Sequence, residues 1–309
     1  MEKTLPELSE EFLEHLEVER GVSRLTIRDY RLYLRRFLMW LEKLCPSPSP
    51  QEITLDNVRR YRLYLAHFTD RRNLPLKRVT QNYYVIALRA FLRYLIKNDY
   101  PTLSPDKIDL PKTESRSLLF LDKNQVVKLL NAPTLSDDAG LRDKVILETL
   151  FSTGLRVAEL VKLNKEQINT ETREIGIIGK GGRARVVFLS ESAVKWLKRY
   201  LDTRKDEYQP LFIRYSGGLN ESNKGEKMRL TTRSVQRILE KYVKKMRLSV
   251  KATPHVLRHS LATDLLINGA DIRSVQEILG HKNITTTQIY THVTNTRLKE
   301  IHSQFHSKF

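Results

Sequence analysis

Apolar residues recur at three-and-four spacing through most of the first hundred positions, the period of helices with one face turned inward. In 8–20 (LSEEFLEHLEVER), Phe12, Leu13 and Leu16 follow Glu-rich early turns. In 23–44 (SRLTIRDYRLYLRRFLMWLEKL), Ile27, Tyr30, Leu34, Phe37, Leu38 and Leu41 make a longer stripe, with Ser23 or Thr26 as its cap. The prolines of CPSPSP (45–50) end that helix. Two more amphipathic helices are predicted at 55–68 and 79–98, the latter capped by Thr80. The spacing thus predicts an all-α bundle of about four helices.

Residues 99–120 carry prolines at 101, 105 and 111 and follow neither a period of 2 nor of 3.6, as a linker does. Beyond them the pattern is mixed. Helices are predicted near 122–131 and 141–151, and Gly154 stops one helix before another starts near Arg156. Residues 173–190 (REIGIIGKGGRARVVFLS) read as a β-hairpin, two β-branched runs around a Gly-rich basic turn. Ser190 caps a further helix, 211–215 (LFIRY) reads as a short strand, and 216–229 as a polar loop. Helices are then predicted at about 232–246, 254–267, 271–279, 284–293 and 296–305, with Gly269 and Gly280 at left-handed stops. The expected fold class is mainly α with a small β-hairpin or sheet (α+β). Its expected domains are a helical one over 1–105, a linker over 106–118 and a mixed one over 119–309. No internal repeat emerges.

Composition sharpens this picture. A chain of 309 residues with 40% hydrophobic content accommodates two cored domains. Lys and Arg outnumber Asp and Glu by 54 to 36, a formal charge of +18, which makes a polyanion the natural partner. The first 20 residues hold 7 acids and 2 bases, whereas in 21–97 bases outnumber acids about threefold. A solvated, repulsive surface is the plainer reading of that excess. Bases interleaved with Tyr, as in RDYRLYLRR (28–36) and RRYRLYL (59–65), fit a phosphate-contacting face better. Arg28, Arg31, Arg35 and Arg59, with Arg183 and Arg185 of the hairpin, are therefore candidate DNA contacts. The single cysteine, Cys45, excludes a disulfide framework and a Cys-based metal site and suits a reducing, cytoplasmic interior. No apolar run approaches the roughly 18 residues of a membrane span, so no membrane insertion is expected. The acidic N-terminus lacks the basic start and apolar stretch of a signal peptide.

Candidate chemistry concentrates in a few places. In TPHVLRHSLATDLL, Thr253 caps a helix, Pro254 occupies its first position, and His255 and Arg258 share one face at i,i+3. An Arg among Val256, Leu257 and Leu261 needs an anionic partner, although ordinary polar residues at a helix start are an equal reading. His259 lies four beyond His255, but HVLRH lacks the Glu of a zinc protease motif, and no metal site is expected. Arg156 in TGLRVAEL is either presented at the edge of a core or paired with Glu159 on its own helix. Lys180 sits in the turn GKGGRAR, where it is a phosphate contact or a proton donor. His281 follows Gly280 at a helix junction. Tyr290 stands in NITTTQIYTH with Ile284 and Ile289 as the strong core residues nearby, so it is either a core Tyr with a wet hydroxyl or a loosely held nucleophile.

Taken in order, Arg156 in TGLRVAELVKL, Lys180 in GKGGRAR, His255 and Arg258 in HVLRHSLATDLL, His281 in LGHKNITTTQIY, and Tyr290 resemble the six-residue signature of tyrosine recombinases. The likeness is greatest to Xer-type enzymes and their phage-integrase relatives, and it covers almost the whole chain. Asp264 stands where many members have a second His, and Phe188 where Pro is common; neither belongs to the catalytic set. The resemblance implies a SAM-like helical core-binding domain and a catalytic domain forming a C-shaped clamp on DNA. It implies attack of the Tyr290 oxygen on a phosphodiester, leaving a 3′-phosphotyrosine and a free 5′-hydroxyl. Arg156 and Arg258 would clamp the phosphate, His281 would add a donor, His255 would act as base and Lys180 as acid. No cofactor is expected: the covalent link conserves the ester's energy, and no GxxxxGK[ST] stretch is present.

Leu298, Ile301 and Phe305 form a stripe on the last predicted helix. In Xer-like enzymes such a helix docks on a neighbouring subunit of a tetramer, homo- or heteromeric, closed around double-stranded DNA with a palindromic site; docking on its own domain is the alternative. The expected job is resolution of chromosome or plasmid dimers at cell division, with a DNA translocase as the family's usual activator. Alternatives are a mobile-element integrase, a type IB topoisomerase-like relaxer, and a non-catalytic DNA-binding protein. A helical domain starting within about ten residues of Met1 leaves no room for an integrase arm-binding domain, which favours the Xer plan.

Overall fold

The computed structural model describes residues 3–70, 73–111, 119–179, 184–218 and 222–280. The chain divides into two compact units, Met1–Ser115 and Arg116–Phe309. The architecture is mostly helical with one small sheet, as the periodicities predict.

In the first unit, α1 (Leu5–Val18), α2 (Arg24–Leu41), α3 (Leu55–His67) and α4 (Arg78–Lys97) turn their stripes onto one core. Helix α1 begins a turn before the LSEEF stretch because Thr4 and Glu7 form a reciprocal cap: the Glu7 carboxylate accepts from the Thr4 N–H at 2.8 Å. Ser23, not Thr26, caps α2. Thr80 is not the cap of α4: Lys77 holds the extended cap position, the Gln81 N–H already bonds back to its carbonyl at 3.0 Å, and Thr80 lies within the first turn. Phe12, Phe37, Tyr61, Leu88 and Phe91 fill the centre. The Pro-rich stretch adds to this core as well, with Ile108 buried in it and the Thr102 hydroxyl donating to the Pro50 carbonyl at 2.8 Å.

In the second unit, α6 (Asp138–Thr153) is the central element, buried along most of its length and packed by α5 (Lys123–Leu130), α8 (Glu191–Thr203), α9 (Thr232–Lys245) and α10 (Pro254–Ile267). It starts three residues before 141 because the Asp137 carboxylate caps it, accepting from the Gly140 N–H at 2.7 Å. Its buried charges are matched: Arg142 donates to Asp143, the Tyr242 hydroxyl donates to the other Asp143 oxygen at 2.9 Å, and Lys144 pairs with Glu148 at 2.8 Å. The hairpin forms as predicted, β2 (Glu174–Ile178) against β3 (Ala184–Phe188) with Ile177 opposite Arg185, and β1 (Ile168–Asn169) adds an unforeseen third strand. Ile175, Ile177 and Val187 face the core. The LFIRY stretch is not a strand: 228–230 runs antiparallel beside it, with the Arg214 N–H donating to the Met228 carbonyl at 2.8 Å and the Leu230 N–H to that of Phe212 at 3.0 Å, but the pairing stops at the single bridge Ile213–Arg229. In the polar loop, Asn223 and Lys224 adopt left-handed φ values of 53° and 51°. Two short helices flank the site, α7 (Val157–Leu160) and α11 (Ile272–Leu279). The two helices predicted after 280 lie outside the described residues. Among the described residues no helix is long and apolar enough to cross a membrane.

Candidate active site

Helix α6 ends at Gly154, whose left-handed φ of 59° turns the chain sharply into α7. A side chain there would meet the Leu261 and Leu279 methyls at 2.9 Å, so the turn is set against both α10 and α11. Arg156 follows as the N-terminal cap residue of α7. Glu159, three residues on, accepts from the Arg156 N–H at 2.9 Å and from its Nη1 at 3.1 Å. The Arg156 side chain remains 36% exposed, against 9% for Glu159. Both readings of Arg156 therefore hold at once: it stands at the edge of the core, and it is paired with Glu159.

Thr253 caps α10 and Pro254 opens it, as predicted. Arg258, 3% exposed, is committed by backbone: its guanidinium donates to the carbonyls of Gly154 and Leu279, the ends of α6 and α11. This accounts for an Arg on an apolar helix face, since last-turn carbonyls are orphan acceptors. Helix α10 is fixed from behind through Ser260, whose hydroxyl accepts the Leu121 N–H at 2.8 Å.

His255 lies at the surface on the first turn of α10. Partial desolvation of its ring, aided by the Arg258 and Arg156 charges, holds its pKa below the ordinary imidazole value. It is consequently neutral, and able to accept a proton, at neutral pH. His259 is shifted the same way by burial and by the neighbouring His255 and Arg258, and its ring stacks on that of His255 with centroids 6.4 Å apart.

Arg156, His255 and Arg258 are thus brought together around Gly154. Lys180, Arg183, His281 and Tyr290 lie outside the described residues. Gly280, the residue before His281, is described: it ends α11 with φ 63°, and a side chain there would meet Arg185 at 2.9 Å. Of the candidate DNA contacts, Arg35 and Arg59 are exposed, Arg28 is paired with its neighbour Asp29 at 2.8 Å, and Arg31 grips Glu10 through two nitrogens at 3.1 and 2.7 Å. Arg185 is turned inward to Glu159, at 2.9 Å. Glu159 is the residue that sequence reasoning undervalued; its i,i+3 spacing from Arg156 was the available signal. Burial would raise its pKa, but hydrogen bonds from Arg185 and the Arg156 N–H and both guanidinium charges outweigh that and hold it below the usual carboxylate value. Among the described residues no cluster of three or more His, Cys, Asp or Glu side chains is placed to hold a metal.

The phage integrase family matches residues 119–297, and the phage integrase N-terminal SAM-like domain matches residues 9–99. The chain belongs to the phage integrase family, the tyrosine recombinases, enzymes that cleave and rejoin DNA. Among curated relatives, tyrosine recombinase XerD of Listeria monocytogenes serotype 4b (strain F2365) is 36% identical over 308 residues, covering 98% of this chain and 99% of its own. Tyrosine recombinase XerC of Pelobacter propionicus (strain DSM 2379 / NBRC 103807 / OttBd1) is also 36% identical, over 298 residues, covering 95% and 93%. Among solved structures, the XerH site-specific recombinase bound to palindromic difH substrate after cleavage shares the fold, with a TM-score of 0.70 at 24% identity, over 97% of this chain and 85% of that one.

Proposed function

We propose that this site-specific recombinase cleaves DNA through Tyr290, with Arg156, Lys180, His255, Arg258 and His281 assisting. The Tyr290 oxygen attacks the scissile phosphorus, forming the Tyr O–P bond as the P–O5′ bond breaks. The phenol, with a free pKa of roughly 10, loses its proton to His255 as it attacks. Lys180 protonates the departing 5′-oxygen. Arg156 and Arg258 hold the non-bridging oxygens, where charge accumulates in the transition state, and His281 adds a donor. Rejoining reverses these steps, with the 5′-hydroxyl of a partner strand as the new nucleophile.

The observation that carries this reading is the convergence of Arg156, Arg258 and a neutral His255 around the Gly154 turn. Two positive groups beside a proton acceptor suit a phosphodiester approached by a phenol.

The substrate is double-stranded DNA carrying a palindromic site, and the exposed Arg35 and Arg59 of the 1–105 domain contact its backbone. The assembly is a tetramer linked through the helix at 296–305. Full-length relatives named for both XerD and XerC support resolution of chromosome or plasmid dimers, in the cytoplasm, over mobile-element integration. Trapping tests the chemistry. Incubation with a nicked suicide duplex should give a denaturation-resistant protein–DNA band bearing a free 5′-hydroxyl strand, absent in Tyr290→Phe. A band that persists in that variant would move the nucleophile elsewhere.

A further inference from the structure

Arg185 lies just past the hairpin turn, where its sequence context reads as a phosphate contact. Its guanidinium is engaged otherwise. Nη1 and Nη2 donate to the two Glu159 oxygens at 3.2 and 2.9 Å, a parallel two-bond grip, and the Arg185 side chain is only 16% exposed. Its Nε is buried with no hydrogen-bond partner among the described residues, and Gly280 lies against it. Arg156 reaches the same carboxylate with one guanidinium nitrogen only.

We infer that Arg185 is a positioning residue for strand cleavage: by occupying both Glu159 oxygens it keeps that carboxylate from closing on Arg156, whose remaining donors stay available to the scissile phosphate. This rests on the recombinase reading above. A carboxylate and a phosphate compete for the same guanidinium fork, and two parallel charge-assisted bonds are the arrangement each prefers. With Arg185 present, Glu159 tethers Arg156 without neutralising it. Without Arg185, a buried carboxylate has one guanidinium left and takes both of its arms. Arg185 also ties three pieces of the site to one point. It stands opposite Ile177, one pair in from the turn end of the hairpin, it grips α7 through Glu159, and it lies against Gly280, the residue before His281.

The test uses the full chain and a nicked suicide duplex bearing the palindromic site that this chain selects from a randomised duplex pool. Single-turnover formation of the covalent complex and the salt dependence of DNA binding are measured for wild type, Arg185→Met, Arg185→Lys and Arg185→Met/Glu159→Gln. Arg185→Met should slow cleavage about tenfold or more with the binding curve and its salt slope unchanged. Arg185→Lys, which offers a point charge in place of the fork, should fall between. Adding Glu159→Gln should restore most of the rate, because an amide does not compete for Arg156. A salt slope lower by about one in Arg185→Met would make Arg185 a phosphate contact and overturn the inference, as would a double variant no faster than the single one. A crystal structure of Arg185→Met reads the same contact without DNA. Both Glu159 oxygens should close on the Arg156 guanidinium, and a Glu159 still holding that guanidinium through Nη1 alone would overturn the inference. A wild-type chain that formed no covalent complex would sink the recombinase reading instead, and this structure would still decide the contact.

Discussion

The Arg258 guanidinium donates to the main-chain carbonyl of Gly154, 104 residues earlier in the sequence. One catalytic candidate is thereby aimed by the turn that presents the other, Arg156. Gly154→Ala should disturb both, since alanine is strained at a φ of 59° and its methyl would sit 2.9 Å from Leu261 and Leu279. A loss of about 1–3 kcal/mol is expected in denaturant unfolding, with cleavage falling further than DNA binding. An unchanged unfolding midpoint would contradict this account of the turn.

His255 should titrate below the ordinary value of roughly 6.5. The unfolded chain takes up that proton at a higher pH than the folded one. The contribution to stability is therefore present above the unfolded value and is lost as pH falls through the folded one. NMR titration of the imidazole should show the low midpoint, and the acid limb of the cleavage rate should fall with it. A midpoint at or above the free value would contradict the account of burial and neighbouring guanidiniums given for this ring.

Glu159 has a depressed pKa, so its stabilising effect should be complete above its unfolded value of about 4.3 and disappear as pH falls through the folded value. Glu159→Gln should cost roughly 1.5–3 kcal/mol at neutral pH, the range for hydrogen bonds to charged groups. That difference should narrow on acidification. A gap constant across pH would mean the carboxylate's charge is immaterial.

Tyr61 is fully buried among the aromatic rings of the first unit, and its hydroxyl has no hydrogen-bond partner among the described residues. Tyr61→Phe removes an unsatisfied group while keeping the ring, so stability should rise by up to about 1 kcal/mol. Chemical denaturation of the full chain measures it, and a loss would reveal a partner for the hydroxyl.

Arg31 is held by Glu10 while Arg35 is exposed on the same helix. Arg35→Ala should lower the salt slope of DNA binding by about one contact, and Arg31→Ala by less. Equal effects would show that Glu10 releases Arg31 on DNA.

Legibility in the sequence followed the range of the interactions. Stripes such as Leu34, Phe37, Leu38 and Leu41 foretold α2 because helical periodicity repeats within a few residues. Thr253, Ser190 and Gly154 were legible as caps for the same reason. Thr80 misled because Lys77, with no capping side chain, holds the position that Thr80 favours by residue type. The LFIRY stretch misled because its residue types signal burial, which Leu211, Phe212 and Ile213 have, while the length of the pairing with 228–230, a single bridge, is set by the distant segment.

Among the described residues, what the sequence by itself determined was the helices, the hairpin and the order of Arg156, His255 and Arg258 along them, since these depend on neighbours within a turn or two. Only the tertiary structure decided where the guanidiniums go. Arg185 has a basic, Gly-rich context that points to phosphate, yet its partner is a carboxylate 26 residues back on another element. Arg258 finds its acceptors at two helix ends, 104 and 21 residues away. A long charged side chain takes the nearest buried acceptor that folding supplies, and which acceptor that is depends on how distant segments pack.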